Sequence, residues 1–229
     1  MAKNEPCNIS HEQAKSFYDG FGSRQDKQSF YEETALSTLI ANAALDQARS
    51  VFELGCGTGR LACDLLEHHL PVDAQYFGTD ISSTMVELAS KRLAPFASQA
   101  RILLVKGQRD IPAVDASVDR FISTYVFDLL PVSEQLQWLA EVTRVLRPSG
   151  LLCLAGITHG TTPISRAVMG LWQRLFALNP GLVGGCRPTL LAKVLAKGSW
   201  DVVFRTVVVS WGMASEVVLA TPAVRVAHA

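Results

Sequence analysis

Short apolar runs alternate with segments of helical spacing along the first two thirds of the chain. The runs are residues 51–55, 75–79, 102–105, 119–124 and 151–156. Such brief stretches suit strands buried on both faces of a sheet. Between them the spacing predicts helices over 59–69, 82–94 and 133–146. Ser82 and Ser133 stand where N-caps belong, the second ahead of Trp138, Leu139 and Val142. Strands alternating with helices predict an α/β doubly wound sheet with right-handed crossovers. Upstream, residues 10–47 have helical spacing broken near Gly20-Phe21-Gly22. Downstream of residue 157 the pattern changes, with helices predicted over Pro163–Leu178 and 188–197. Two β runs, 201–209 and 215–220, flank Trp211-Gly212-Met213 and predict a terminal hairpin. No repeat is present, and the residues from about Pro222 read as a tail.

Composition narrows the class. At 229 residues the chain fits one α/β domain, and 48% apolar content with mean hydropathy +0.20 supplies a large core. Lys plus Arg equals Asp plus Glu at 21 each, without a long basic run. Proteins that bind nucleic acid through phosphates carry a basic surplus, so RNA and DNA are not the expected partners. The five cysteines (Cys7, Cys56, Cys63, Cys153, Cys186) form no CxxC pair and read as reduced thiols of a cytoplasmic protein. No apolar stretch is long enough to span a bilayer, and the N-terminus lacks the apolar centre of a signal peptide. His68 and His69 lack further ligands at zinc-like spacing, so no metal is expected.

The chemistry concentrates in Val-Phe-Glu-Leu-Gly-Cys-Gly-Thr-Gly at 51–59, followed by a second acid, Asp80. Glycines at 55, 57 and 59 let backbone approach a ligand closely, because no Cβ intervenes. The helix N-terminus that follows favours a negatively charged ligand group. Asp80, at the tip of the next strand, is placed to accept from ribose hydroxyls. A nucleoside with a small charged tail is the implied ligand. The dinucleotide fingerprint fails because Arg60 stands where its last glycine belongs, and no Gly-Lys-Ser/Thr makes a Walker loop. Cys56, between glycines, reads as a small turn residue rather than a nucleophile.

Glu53-x-Gly-x-Gly-x-Gly59 resembles motif I of the class I S-adenosylmethionine-dependent methyltransferases. Gly78-Thr79-Asp80-Ile81-Ser82 with Met85 and Ala89 resembles the family's second-strand motif, and Arg144-Val145-Leu146-Arg147-Pro148-Ser149-Gly150 its turn before the fifth strand. The likeness covers roughly residues 45 to 220, and the ubiquinone/menaquinone-biosynthesis type is the nearest in look. It implies a seven-stranded Rossmann-like sheet of order 3-2-1-4-5-7-6 with the seventh strand antiparallel, and S-adenosylmethionine as cofactor. The implied cofactor residues are Glu53, Gly55, Cys56, Gly57, Thr58, Gly59, Asp80, Ile81, Met85, Gly107, Gln108, Arg109, Thr124 and Tyr18. Where the family often has Gly-Asp-Ala, this chain has Gly107-Gln108-Arg109, which leaves Gln108 or Asp110 to contact adenine.

Single-domain organisation follows: 1–47 an N-terminal helical lid around Phe17-Tyr18-Asp19-Gly20-Phe21-Gly22, 48–157 the cofactor core, 158–200 a helical cap over the substrate, and 201–221 the hairpin. Met169, Leu171, Trp172, Leu175 and Phe176 in that cap are candidates to roof an apolar acceptor pocket. His159, at the end of the fifth strand, is the candidate general base, with Tyr125 and Asp128 after the fourth strand as further acceptor contacts. The expected reaction is methyl transfer to a small, apolar acceptor by in-line displacement. Two rivals stay open: a non-catalytic binder that keeps the cofactor fold, and a macromolecule methyltransferase. The missing Asn/Asp-Pro-Pro-Tyr after strand four (Ser123-Thr124-Tyr125-Val126 instead) disfavours base amine chemistry. Oligomeric state is not legible in the sequence.

Overall fold

The computed structural model describes residues 10–107 and 111–223. In chain order its main elements are α1 (His11–Phe21), α2 (Ser29–Asn42), β1 (Ser50–Leu54), α3 (Arg60–His68), β2 (Gln75–Asp80), α4 (Ser83–Arg92) and β3 (Ala100–Leu104). There follow β4 (Val118–Thr124), α5 (Val132–Val145), β5 (Leu146–Ile157), α6 (Pro163–Leu178), α7 (Leu191–Leu195), β6 (Trp200–Ser210) and β7 (Met213–Pro222). The sheet order is β3-β2-β1-β4-β5-β7-β6, with β7 antiparallel to both neighbours and the remaining pairs parallel. This is the order that the motifs implied.

Alternation along each strand divides the core between the two faces of the sheet. Phe52, Phe121, Leu152, Leu154 and Val218 face α5 and α7, where Trp138, Leu139, Val142, Leu191 and Leu195 pack on them. Val51, Ile122, Cys153 and Val217 face the other way, onto Leu36 and Leu39 of α2 and Leu61 and Leu65 of α3. Stacked rings of Phe52 with Phe77 and Phe121, at 5.5 and 5.3 Å, tie β1 to its neighbours.

Several boundaries differ from the sequence reading. Helix α5 begins at Val132 with Pro131 at its cap, so Ser133 lies inside the helix. Proline's fixed φ and missing N–H suit the start of a helix, and it takes the position ahead of the serine. Ser82 does cap α4, its hydroxyl accepting from Met85 N at 3.2 Å. Strand β5 starts five residues early because Leu146 pairs with Val118 before the register shifts to Arg120–Leu151. The hairpin turn is two residues, Trp211 and Gly212, both at positive φ (+54° and +82°), which matches the twist of paired strands. Helix α7 is shorter than the predicted 188–197.

Candidate functional site

The carboxyl ends of β1, β2, β3 and β4 open into a cavity of about 580 Å³. This is where an open α/β sheet places ligands, at the point where strand order reverses. The turn after β1 is held by Gly55 N and Cys56 N, which donate to Thr79 O at 2.8 and 3.0 Å. Gly55, Gly57 and Gly59 have φ of +76°, +54° and +75°, a region that L side chains enter only with strain. A Cβ on Gly55 would lie 2.3 Å from Val126 Cγ2, and one on Gly57 would meet the Gln25 amide at 3.0 Å. The glycines therefore hold a cradle that side chains would fill.

Asp80 ends β2 and lines the cavity. Its Oδ2 accepts from Gly57 N at 3.0 Å and its Oδ1 from Ser82 N at 2.9 Å. Burial pushes its pKa up to about 6, against the pull of those backbone donors. Glu53, on β1, is buried and takes a hydrogen bond from the Tyr76 hydroxyl; burial raises it to about 7. Burial also pushes the Cys56 thiol well up, which removes it as a nucleophile near neutrality.

Helix α1 and the turn at Gly22–Gln28 cover this end of the cavity. Asp19 accepts from Ser82 Oγ at 2.6 Å, and His11 Nε2 lies 3.0 Å from Glu134 Oε2 on α5. Asp26 accepts from Thr58 Oγ1 and from Arg92 Nη2, both at 2.6 Å. These contacts latch the N-terminal segment onto the glycine turn and onto α4.

Tyr18, Tyr31, Glu32, Tyr125 and Cys186 also line the cavity. Tyr125 follows β4 at φ +57°, a strained setting for a non-glycine residue, and its hydroxyl lies 2.9 Å from Ser215 Oγ. Its ring meets that of Tyr31 edge-on at 5.9 Å. Burial raises Glu32 to about 7, with Arg60 pulling the other way at 3.8 Å. Asp128 is fully buried; burial raises it to about 7 while Oδ2 accepts from Ile157 N at 3.1 Å.

Of the residues read from sequence, Glu53, Gly55, Cys56, Gly57, Thr58, Asp80, Ile81, Gly107, Thr124, Tyr125 and Tyr18 line this cavity. Gly59 instead caps α3, and Met85, on α4, is wholly buried; neither is among the described lining residues. Gln108, Arg109 and Asp110 lie outside the described residues. His159 is exposed, 3.2 Å from Gln173 through Nδ1, and is not among the lining residues either. Helix α6 packs Met169 against Tyr31 and Tyr125 from behind, and only Cys186 of the 160–187 stretch reaches the cavity. Sequence reasoning missed Gln25, Asp26, Tyr31, Glu32, Leu129, Leu130, Trp138 and Cys186. No local motif marks them, because their proximity comes from folding α2 and the 129–138 segment over the sheet.

Residues 51–150 match the model of a family described as a methyltransferase domain. The tRNA N(3)-methylcytidine methyltransferase Mettl2 of Drosophila melanogaster is 27% identical over 169 residues, covering 66% of this chain and 52% of that protein. The demethylmenaquinone methyltransferase of Lactobacillus johnsonii is 33% identical over 129 residues, covering 56% and 50%. The chain thus spans about half the length of these curated relatives. Among solved structures, a geranyl diphosphate methyltransferase in complex with GPP and sinefungin superposes with TM-score 0.69 at 10% identity, over 93% of this chain and 98% of that one. At that identity the likeness speaks for the fold.

Proposed function

We infer that this chain, which carries a class I S-adenosylmethionine-dependent methyltransferase domain, transfers a methyl group from that cofactor to a small acceptor with an apolar body. The observation that carries the reading is the meeting, on one cavity, of the left-handed glycine turn and Asp80. Asp80 and Ile81 would hold the nucleoside, with Gln108 or Asp110 toward adenine. Glu53 and the backbone of residues 55–58 would hold the charged tail. When bound, the cofactor supplies a methyl group already activated on sulfur. What remains for the chain is alignment and the exclusion of water, and orientation of this kind is worth roughly 7–11 kcal/mol in favourable cases. Helix α1 and the 22–28 turn would exclude water by covering the cavity, as lids do elsewhere.

Leu36, Leu129, Leu130 and Trp138 in the lining support an apolar acceptor body. The tRNA-modifying relative favours a second reading, a macromolecular acceptor, which the equal count of 21 acidic and 21 basic residues argues against. A cytoplasmic location belongs to the proposal, supported by the free thiols of Cys56, Cys63, Cys153 and Cys186. Among the described residues no helix is long and apolar enough to cross a membrane.

Calorimetric titration with S-adenosylhomocysteine tests the core of the reading. Binding with a matching thermal shift is the expected result, and a silent titration without a shift removes it. Labelled-methyl transfer into bulk tRNA, with none into small-molecule extract, would replace the small acceptor.

A further inference from the structure

One stretch of the cavity wall, formed by Tyr31, Glu32, Tyr125 and Cys186, belongs neither to the glycine turn nor to the tip of β2 and is not explained by holding a nucleoside. Five acids line the cavity as a whole (Asp26, Glu32, Glu53, Asp80 and Glu134), against Arg60 as the one described lining arginine. Arg60 is already engaged by Glu33 at 2.9 Å. Asp26 is neutralised by Arg92, and Glu134 faces His11. Glu53 and Asp80 sit at the glycine turn. Glu32 shares Arg60 with Glu33, at the longer distance of 3.8 Å, and its side chain is 14% exposed on the cavity wall.

Its surroundings favour positive charge. Tyr31 adjoins it on α2, Tyr18 faces it from α1, and Tyr125 faces it from the tip of β4, so aromatic rings and one carboxylate share a wall. Asp128 and Cys186 act on it from beneath, Arg60 approaches from α3, and Asp26 and Glu33 complete the charged groups around it. A phenolate, thiolate or carboxylate acceptor entering there would meet like charge. An ammonium would meet opposite charge and ring faces, both of which attract a cation.

Building on the methyltransferase reading, we propose that the acceptor is an amine with an apolar body, and that Glu32 anchors its cationic form and then takes its proton. The balance is as follows. The ammonium gives one proton to the Glu32 carboxylate. The freed nitrogen lone pair forms the new C–N bond while the methyl–sulfur bond of the sulfonium donor breaks, its electron pair staying on sulfur. The product leaves as the methylated ammonium, its nitrogen already carrying four bonds, and Glu32 releases its proton to water. Burial of Glu32 places its proton affinity near neutrality, where accepting a proton and releasing it to water are both cheap.

Phenethylamine, phenethyl alcohol and hydrocinnamate share one frame and differ in charge. Titrated by calorimetry into the wild-type complex with S-adenosylhomocysteine, the amine should bind about 10-fold or more tighter than the alcohol, and the acid weakest. Glu32→Gln should erase the amine's advantage while S-adenosylhomocysteine affinity stays within about twofold, and Glu32→Asp should keep part of it. In methyl transfer to phenethylamine, the alkaline-rising limb near neutrality should vanish in Glu32→Gln. Equal affinities, an alcohol preference, no amine binding, or an amine preference that survives Glu32→Gln would each overturn the proposal. The wild-type comparison decides even if the variant does not fold. Failure of S-adenosylhomocysteine itself to bind would count against the methyltransferase reading instead, so the two failures are distinct.

Discussion

Replacing Asp80 by Asn separates binding from folding at a single side chain. Asp80 is nearly the same shape as Asn, but its carboxylate accepts on both oxygens, from Gly57 N and Ser82 N, while facing the cavity. Hydrogen bonds to a charged acceptor contribute about 1.5–3 kcal/mol and neutral ones about 0.5–1.5. Two ribose hydroxyls would therefore lose about 2–3 kcal/mol together, roughly 30- to 150-fold in affinity for S-adenosylhomocysteine. Folding should respond in the opposite direction. The rise from 3.8 to about 6 means the buried ionised form is disfavoured. At about 1.4 kcal/mol per unit, that is on the order of 3 kcal/mol. The folded state holds the proton over the window between those two values, where the unfolded chain has lost it. Stability of the native protein thus falls as pH rises from about 4 to about 6 and stays lower above that. Asn carries no such cost, although its amide faces Gly57 N–H at a penalty of about 1–3 kcal/mol. The net expectation above about pH 7 is a melting temperature equal to or above wild type, with much weaker binding. Calorimetry with S-adenosylhomocysteine and thermal melts across that pH range read both quantities. Affinity within about threefold of wild type would refute the assignment of Asp80 to the sugar. A variant that no longer folds would make it a scaffold residue.

Other expectations come from the same geometry. Gly55→Ala places a Cβ 2.3 Å from Val126 Cγ2 at φ +76°, and should cost about 2–4 kcal/mol in denaturant titrations; an unchanged midpoint would show that the turn can relax. S-adenosylhomocysteine affinity should weaken as pH drops below about 6, because protonated Asp80 loses acceptor capacity, and the Asp80→Asn variant should lack that dependence in the same titration. His159→Ala should leave cofactor affinity and turnover within about twofold, since the side chain is exposed and away from the described lining; a large loss of turnover would restore it as a base. Tyr125→Phe strands the buried Ser215 hydroxyl that lies 2.9 Å from it, and melts should report a loss of about 1–2 kcal/mol; no loss would mean that Ser215 finds another partner.

What the sequence determined by itself was local. A run such as 151–156 is apolar because both faces of that strand are covered, so its length and composition announce a buried strand. The glycine turn was legible because positive φ at 55, 57 and 59 selects glycine whatever lies far along the chain. Asp80 was legible because one βα unit sets its distance from that turn. Ser133 misled because the competing signal, Pro131, acts on the same helix start. His159 drew attention by its strand-end position, but the turn after Ile157 carries it outward toward Gln173. Only the tertiary structure decided which side chains share the tyrosine-lined wall of the cavity. Glu32 and Tyr31 on α2, Tyr125 after β4 and Cys186 beyond α6 are separated by long stretches of chain and carry no mutual spacing. Their meeting depends on α2 packing against the sheet and α6 bracing Tyr31 and Tyr125, a matter of long-range burial that no periodicity along the chain encodes.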